Sequence, residues 1–410
     1  MVEIGTTSPV FRKGDRGAAV LDIRDRLQHL GLLPDRSARG DRPERGSIQY
    51  EPAQYEPGRY DDRFDDEVEE AVRAFQQQRG LTADGVVNSA TYRALDEARW
   101  RLGDRVLVHL PGNLLTGDDV FALQRRLLDL GFKVGRVDGR FGPETEHAVR
   151  DFQRNIGVPP DGTCGPATLK ALQRLTPRVE GGSPNALRAE ERIRQSGPRL
   201  LGKTVVVDAA ASSAEDPGLR HLADLVTSDL ARRVEGRLVA TGVQAFLTTP
   251  AAQTSVDEAA RAEFANRTGA DLCVSLQVDA SVRPDACGVS SYYYGIDAHG
   301  VHSSVGARFA GLVLREIVAR TGLADLRAHA RSWDLLRRTR MPAVRVDVGY
   351  VTNPDEAARL ADPAFRDAVA EAVVVAVQRL YLAPEADPHT GVLRWDDLAA
   401  LRDDPDPSAS

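Results

Sequence analysis

Two aspartates and a loop of alanines carry the first chemical signal in this chain. "VVVDAAASSAEDPG", Val205 to Gly218, runs as an apolar stretch to Asp208 and then breaks into small residues that end in Asp-Pro-Gly. "AVRVDVGY", Ala343 to Tyr350, sets Asp347 late in a second apolar stretch. Open α/β sheets place their chemistry just past the carboxyl ends of strands. Asp208 and Asp347 could therefore face one cleft, as a cation site or an acid/base pair. The plainer reading solvates them or bonds each to an arginine such as Arg345. The loop after Asp208 offers Ala209, Ala210, Ala211, Ser212 and Ser213, and an alanine has neither a lone pair nor a proton to give. His299 and His302 in "DAHGVHS", with Cys287 or His221, could form a metal set three residues apart. They stand where a loop opens a helix expected over 301–320, a place that suits surface or capping histidines. No G-x-S-x-G elbow occurs. Cys273, inside an apolar run, reads as core packing.

The elements that would position these residues begin at Lys203. The runs "TVVVD", "VQAFLTT", "LCVSLQV", "VSSYYYGI" and "AVRVDVGY" alternate with helical stretches. This alternation predicts an α/β domain with a mostly parallel central sheet. Before it, "RVEGGSPNALRAEERIRQSGPRL" has no strand pattern and reads as a linker with a short charged helix.

The first half of the chain is a repeat. Val20, Ile23, Leu27, Leu30 and Gly31 recur 100 residues later as Val120, Leu123, Leu127, Leu130 and Gly131. Their spacing is one apolar helix face with a glycine stop. Phe64, Ala71, Val72, Phe75, Gln76, Gly80, Asp84, Gly85, Thr91 and Leu95 recur 77 residues later as Phe141, Ala148, Val149, Phe152, Gln153, Gly157, Asp161, Gly162, Thr168 and Leu172. The two offsets differ by 23 residues, so the first copy carries an insertion of that length. It falls at about 33–60, a polar stretch rich in Pro, Gly and Arg that reads as a surface loop, with Tyr50, Tyr55 and Tyr60 as candidate anchors. Each copy is expected to be a small three-helix unit.

Composition sets the outer bounds. At 410 residues two or three domains are expected. A formal net charge of −7 argues against nucleic acid or an anionic membrane surface as main partner. The amino terminus lacks a basic segment followed by an apolar one, and no run reaches the roughly 18 apolar residues of a spanning helix. Three cysteines without C-x-x-C spacing exclude a disulfide framework. A soluble, cytoplasmic protein is the expectation.

The repeats resemble the peptidoglycan-binding type 1 domain, on "LQRRLLDLGF", "VDGRFGPETEHAVRDFQ" and "GVPPDGTCGPATLKAL". Such domains usually bind cell-wall glycan or stem peptide, although fold alone does not fix a ligand. The second half resembles the zinc-dependent N-acetylmuramoyl-L-alanine amidases of type 3, on "VVVD…DPG", "TGVQAFLTT", "ANRTGADLCVSLQVDA" and "MPAVRVDVGYVTNPDEAARL". In that family two histidines and a glutamate hold zinc, which activates water, and a second glutamate is the general base. Carried over, the first histidine falls at Ala211. The glutamate ligand falls at Ala223, with Asp224 beside it. The second histidine falls at Gln277 in "SLQVDA", and the catalytic glutamate at Asp347 in "VDVGY". Alanine offers zinc no bond, and a carboxamide is a poor ligand. Asp347 is one methylene short, and a misplacement of about 1 Å can cost about a hundredfold. The resemblance therefore implies a retained fold without metal or cofactor.

Together the two repeats, the degenerate amidase domain and the tail resemble the actinobacterial CwlM family. Domains are expected at 1–100 (repeat 1), 101–178 (repeat 2), 203–383 (amidase-like), with a linker at 179–202 and a regulatory tail at 384–410. That tail has five more acidic than basic residues, and Val392, Trp395, Leu398 and Leu401 in it share a helical spacing. The resemblance implies a phosphorylation-controlled, cytoplasmic regulator of peptidoglycan precursor synthesis. It implies as partners the UDP-N-acetylglucosamine 1-carboxyvinyltransferase, a serine/threonine protein kinase, a forkhead-associated domain protein and the lipid II flippase. The phosphorylated threonine falls at Thr390 in "PHTG". Two alternatives stay open: an active amidase with relocated metal ligands, and a sensor that binds peptidoglycan fragments or lipid II.

Overall fold

A computed structural model describes residues 10–34, 62–175, 184–212, 214–248, 257–281, 283–296, 301–383 and 386–394. The chain divides into two compact units, Met1–Glu180 and Gly181–Ser410. Most of the expected insertion and its three tyrosines, His299, and the tail beyond Arg394 lie outside the described residues. No helix among the described residues is long and apolar enough to cross a membrane.

The first unit holds two three-helix repeats, as the offsets require. Helices α1 (Ala18–His29), α2 (Asp66–Arg79) and α3 (Ser89–Ala98) form the first, and α4 (Asp118–Asp129), α5 (Pro143–Ile156) and α6 (Pro166–Arg174) the second. The periodic apolar positions are the core: Val20, Ile23, Leu27, Phe64, Val72, Phe75 and Leu95 are buried together. Asp65 and Asn88 cap α2 and α3 with their side chains, while α5 and α6 start on a proline after a glycine. Gly80 and Gly157 end α2 and α5 in the left-handed conformation, at φ 67° and 75°.

The repeated Gln, Asp, Gly and Thr positions form one device. Gln153 Nε2 lies 2.7 Å from Asp161 Oδ1, 3.0 Å from Thr163 O and 3.0 Å from Thr168 Oγ1. Its Oε1 accepts from Gly162 N at 2.9 Å. Gln76 repeats this with Asp84, Val86 O, Thr91 and Gly85 N. Gln124 does so once more with Asp138, Arg140 O, Thr145 and Gly139 N. A buried carboxamide thus pins an Asp-Gly turn and the start of the next helix. At the fourth such place stands Arg24, which donates to Arg63 O at 2.9 Å and Asp65 at 3.2 Å. Arg79 and Asp118 join the repeats with a two-pronged ion pair at 2.6 and 2.7 Å.

The second unit is a three-layer α/β fold. Its elements are α7 (Pro184–Gln195), β1 (Thr204–Ala209), α8 (Pro217–Ala240), β2 (Gln244–Leu247), α9 (Glu258–Arg267), β3 (Leu272–Asp279), β4 (Val289–Ile296), β5 (Val301–His302), α10 (Ser304–Thr321), β6 (Asp325–Arg331), α11 (Asp334–Arg338), β7 (Ala343–Tyr350), α12 (Pro354–Ala361) and α13 (Pro363–Tyr381). Strands run in the order β2-β1-β3-β7-β4-β5, with β6 also on β4. β1 pairs parallel with β2 and β3, β3 with β7, and β4 with β6; β4 runs antiparallel to β7 and β5. One face, with Val205, Val207, Val274, Leu276, Val344 and Val346, packs in the main core with α8, α10 and α13. The other, with Val206, Cys273, Ala343 and Tyr294, packs with residues of α9 and α11. Cys273 is fully buried in this second layer.

Two local expectations change. Val301 and His302 form a short strand on β4 rather than a first helical turn, and the helix starts after its cap, Ser303. β6, "DLRAHAR", has no apolar run to announce it, because it pairs on one side only and keeps most side chains partly exposed.

Candidate functional site

Register across the sheet lines up a polar row on the α9–α11 face. Asp208 stands beside Ser275, Ser275 beside Arg345, Arg345 beside Tyr292, and Tyr292 beside His329. One step nearer the carboxyl ends, Gln277 stands beside Asp347 and Asp347 beside Ser290. The loop carrying Ala211 starts next to Gln277, since Ala210 N donates to Leu276 O at 2.9 Å. The structure therefore brings the Ala211 loop, Gln277 and Asp347 to the ends of the adjacent parallel strands β1, β3 and β7.

Both strand-end aspartates are neutralised by arginine. Asp208 is fully buried; it accepts from Arg261, from Thr248, and from Ser275 Oγ at 2.6 Å. Asp347 accepts from Arg345 Nε at 2.9 Å. Burial pushes the Asp347 carboxyl above its ordinary value, and Arg345 pulls against that. Arg345 in turn stacks on Trp333 at 4.4 Å and reaches Glu258 at 3.7 Å. Trp333 lies 4.6 Å from the Tyr292 ring. The Arg345 guanidinium is thus held on several sides.

The remaining positions do not fit a zinc site. Ala211 is exposed and carries only a methyl group. Ala223, on α8, is fully buried in the main core. Asp224 is occupied as an acceptor for Ser212 N at 2.7 Å, which ties the alanine loop to α8. Gln277 is buried and offers a neutral carboxamide. Among the described residues no group of three or more His, Cys, Asp or Glu side chains is placed to hold a metal ion. Of the alternative set, His302 is exposed on β5 and His221 and Cys287 are exposed.

Thr390 lies in a second cluster, which sequence reading did not foresee. Residues 386–394 follow α13 in the chain, and Thr390 Oγ1 accepts from Arg379 Nη1 at 3.0 Å. Arg379 also pairs with Asp387 and with the buried Glu316 of α10, which binds Arg320 as well. A signal existed: Arg379 interrupts the apolar run "AVVVAVQRLYL", and a cation facing a core needs a buried partner. Arg261 gave no comparable signal, because it sits in a mixed polar helix.

Comparison with known proteins gives these positions a family. Residues 205–379 match the family described as N-acetylmuramoyl-L-alanine amidase, and residues 50–95 and 116–172 match a peptidoglycan binding domain. A stretch of 61 residues, 15% of this chain and 24% of the other, is 46% identical to a spore cortex-lytic enzyme of Bacillus cereus. The catalytic domain of CwlV, an N-acetylmuramoyl-L-alanine amidase from Bacillus (Paenibacillus) polymyxa, is 26% identical, with coverage of 43% of this chain and 96% of that one and a TM-score of 0.38. N-acetylmuramoyl-L-alanine amidase CwlM of Mycobacterium tuberculosis is 46% identical over 397 residues, which cover 95% of this chain and 94% of that one. Because that identity runs through both repeats and the α/β unit, the chain belongs to the family of N-acetylmuramoyl-L-alanine amidase CwlM.

Proposed function

We propose that this chain is a catalytically inactive amidase homologue that regulates peptidoglycan precursor synthesis in the cytoplasm under control of phosphorylation. The observation that carries the inactive reading is the state of the cleft. Ala211, Ala223 and Gln277 stand where the amidase resemblance puts three metal ligands, and Asp347, at the general-base position, is bonded to Arg345. The Arg345 guanidinium occupies the Asp347 carboxylate as a hydrogen-bond donor, and this fixed cation disfavours a divalent ion nearby. This reading departs from the word amidase in the relative's name. Its test is metal analysis of the purified chain together with digestion of muropeptides. Absence of stoichiometric zinc and of stem-peptide release is expected; one zinc per chain with cleavage would refute it.

The regulatory part is supported by Thr390, a hydroxyl set against arginine at the start of an acidic tail. Its target is the UDP-N-acetylglucosamine 1-carboxyvinyltransferase, its modifier a serine/threonine protein kinase. A forkhead-associated domain protein reads the phosphorylated form, and the lipid II flippase binds the unmodified one. The kinase-treated chain is expected to raise the transferase rate, and Thr390→Ala to abolish that rise; unchanged stimulation by the variant would refute the site. A second reading, that the repeats bind peptidoglycan fragments, is favoured by the match of residues 116–172 to a peptidoglycan binding domain. Titration of the chain with muropeptides tests it, and no binding at millimolar ligand would exclude it.

A further inference from the structure

We infer that residues 386–394 form a charge-operated strap, which a phosphate on Thr390 releases from the buried Glu316–Arg320–Arg379 cluster. The inference rests on the reading of Thr390 as the modified residue, and adds what modification does to the fold.

The strap is held mostly by polar contacts that converge on one guanidinium. Arg379 Nε and Nη2 hold Asp387 Oδ1 and Oδ2 at 2.6 and 3.0 Å. Its Nη1 donates both to Thr390 Oγ1 at 3.0 Å and to Glu316. All three nitrogens are therefore in use. Arg320, paired with Glu316, donates through Nη2 to Leu393 O. Gly391 N points at both Glu316 oxygens from 3.4 Å. Gly391 has φ +81°, and a Cβ there would lie 3.3 Å from the Ala319 Cβ, so the turn also packs closely on α10. Leu393 adds an apolar contact to the main core, while Val392 is exposed. The remaining charges at the cluster are Glu371, 3.8 Å from Arg320 Nε, and Arg394.

Phosphorylation transfers the terminal phosphoryl group of a nucleoside triphosphate to Thr390 Oγ1. The new O–P bond replaces the O–H bond, the proton passes to solvent, and a nucleoside diphosphate leaves. The ester adds about 1.5 to 2 negative charges and three acceptor oxygens. Four of the five Arg379 N–H groups are already engaged, one of them with Thr390 Oγ1 itself, and two carboxylates crowd the guanidinium, so it has few donors for three new acceptor oxygens. Glu316 cannot withdraw, because it is fully buried on α10. Asp387 and Thr390 belong to the strap, so relief comes by lifting the strap away. The freed segment then offers a phosphothreonine in an extended, accessible chain to a partner that reads phosphopeptides.

The test uses the full chain with phosphothreonine installed at 390 by genetic encoding, so that it does not depend on any kinase. Amide hydrogen exchange over 386–394 is expected to rise about tenfold or more over the unmodified chain. Unchanged or slower exchange would overturn the strap. In the phosphorylated chain Asp387→Asn removes one carboxylate and leaves Arg379 nitrogens for the phosphate, so protection is expected to return toward the unmodified level. Fast exchange in that variant would overturn the crowding argument. A kinase that leaves Thr390 unmodified while the installed phosphate opens the strap refutes the reading of the site and leaves the strap standing.

Discussion

Arg345 donates to Asp347 across two residues of one strand, at 2.9 Å, and both side chains are largely withdrawn from water. Burial alone would drive the carboxyl toward its neutral form, and the guanidinium opposes this. Removing the cation by Arg345→Met leaves a buried carboxylate without its partner. A loss of about 3–5 kcal/mol in unfolding free energy at neutral pH is expected. The pH dependence has a definite sign. The folded pKa lies above the ordinary 3.8, so the contribution of Asp347 is full below 3.8 and is lost as pH rises through the folded value. Without Arg345 that value rises further. The deficit of the variant is therefore largest at neutral pH and shrinks on acidification toward 3.8. Denaturant unfolding at several pH values measures it, and a deficit that stays constant with pH would contradict the assignment.

Restoring imidazoles alone is not expected to restore hydrolysis. Ala211→His with Gln277→His returns two nitrogen donors to the strand ends. The third position, Ala223, stays inside the core, and Asp347 stays bonded to Arg345. Zinc binding to the double variant, followed by metal analysis, is compatible with this. Muropeptide cleavage above that of the parent chain is not, and would show that the Arg345–Asp347 pair leaves a usable base.

Much of this architecture was legible because it repeats or alternates. Two constant offsets located six helices, since Val20, Phe75 and their counterparts must all face a core. Five apolar runs located β1, β2, β3, β4 and β7: β1, β3, β4 and β7 are apolar because they are largely buried on both faces of the sheet, whereas β2 is a partly exposed edge strand. β6 escaped, as its alternation of Arg327, His329 and Arg331 with small residues suits an edge and resembles a loop. At the site, Ala211, Gln277 and Asp347 were placed by the amidase resemblance, and the sheet register brings them together. Their arginine partners were only half legible. Arg345 shares a strand face with Asp347, a spacing of two. Arg261 meets Asp208 across 53 residues, and no local pattern encodes that contact.

That long-range pair is open to a direct measurement. Asp208 and Arg261 are both buried, and Ser275 and Thr248 fill the other positions around the carboxylate. Asp208→Asn and Arg261→Met each strand one charge, and a loss of about 3–5 kcal/mol is expected for either. The double variant strands none. Its loss is expected to fall short of the sum of the two by more than about 1 kcal/mol in a double-mutant cycle. Strict additivity would mean that the pair contributes nothing as a pair.

The buried glutamines of the first unit lead to the last prediction. Gln153 satisfies Gly162 N and bridges Asp161, Thr163 O and Thr168, so Gln153→Leu removes the partners of several groups while keeping similar bulk. A loss of about 1–3 kcal/mol is expected, the cost of leaving buried polar groups unmet. It should appear as faster hydrogen exchange over 143–174 in the full chain, because the glutamine ties α5 to α6. Asp161 supplies the pH signature. The Thr163 N–H, and then Gln153, hold its carboxyl below the ordinary 3.8. Its contribution is therefore present above 3.8 and lost as pH falls through the folded value. Leucine at 153 removes part of that depression, so the Asp161 share of the variant's deficit disappears in strong acid while the share from Gly162 N, Thr163 O and Thr168 remains. Gln76→Leu meets the same four kinds of partner in the first repeat and should behave alike. If either substitution left exchange in its own repeat unchanged, the Gln-Asp-Gly-Thr constellation would be a by-product of the fold and not a support for it.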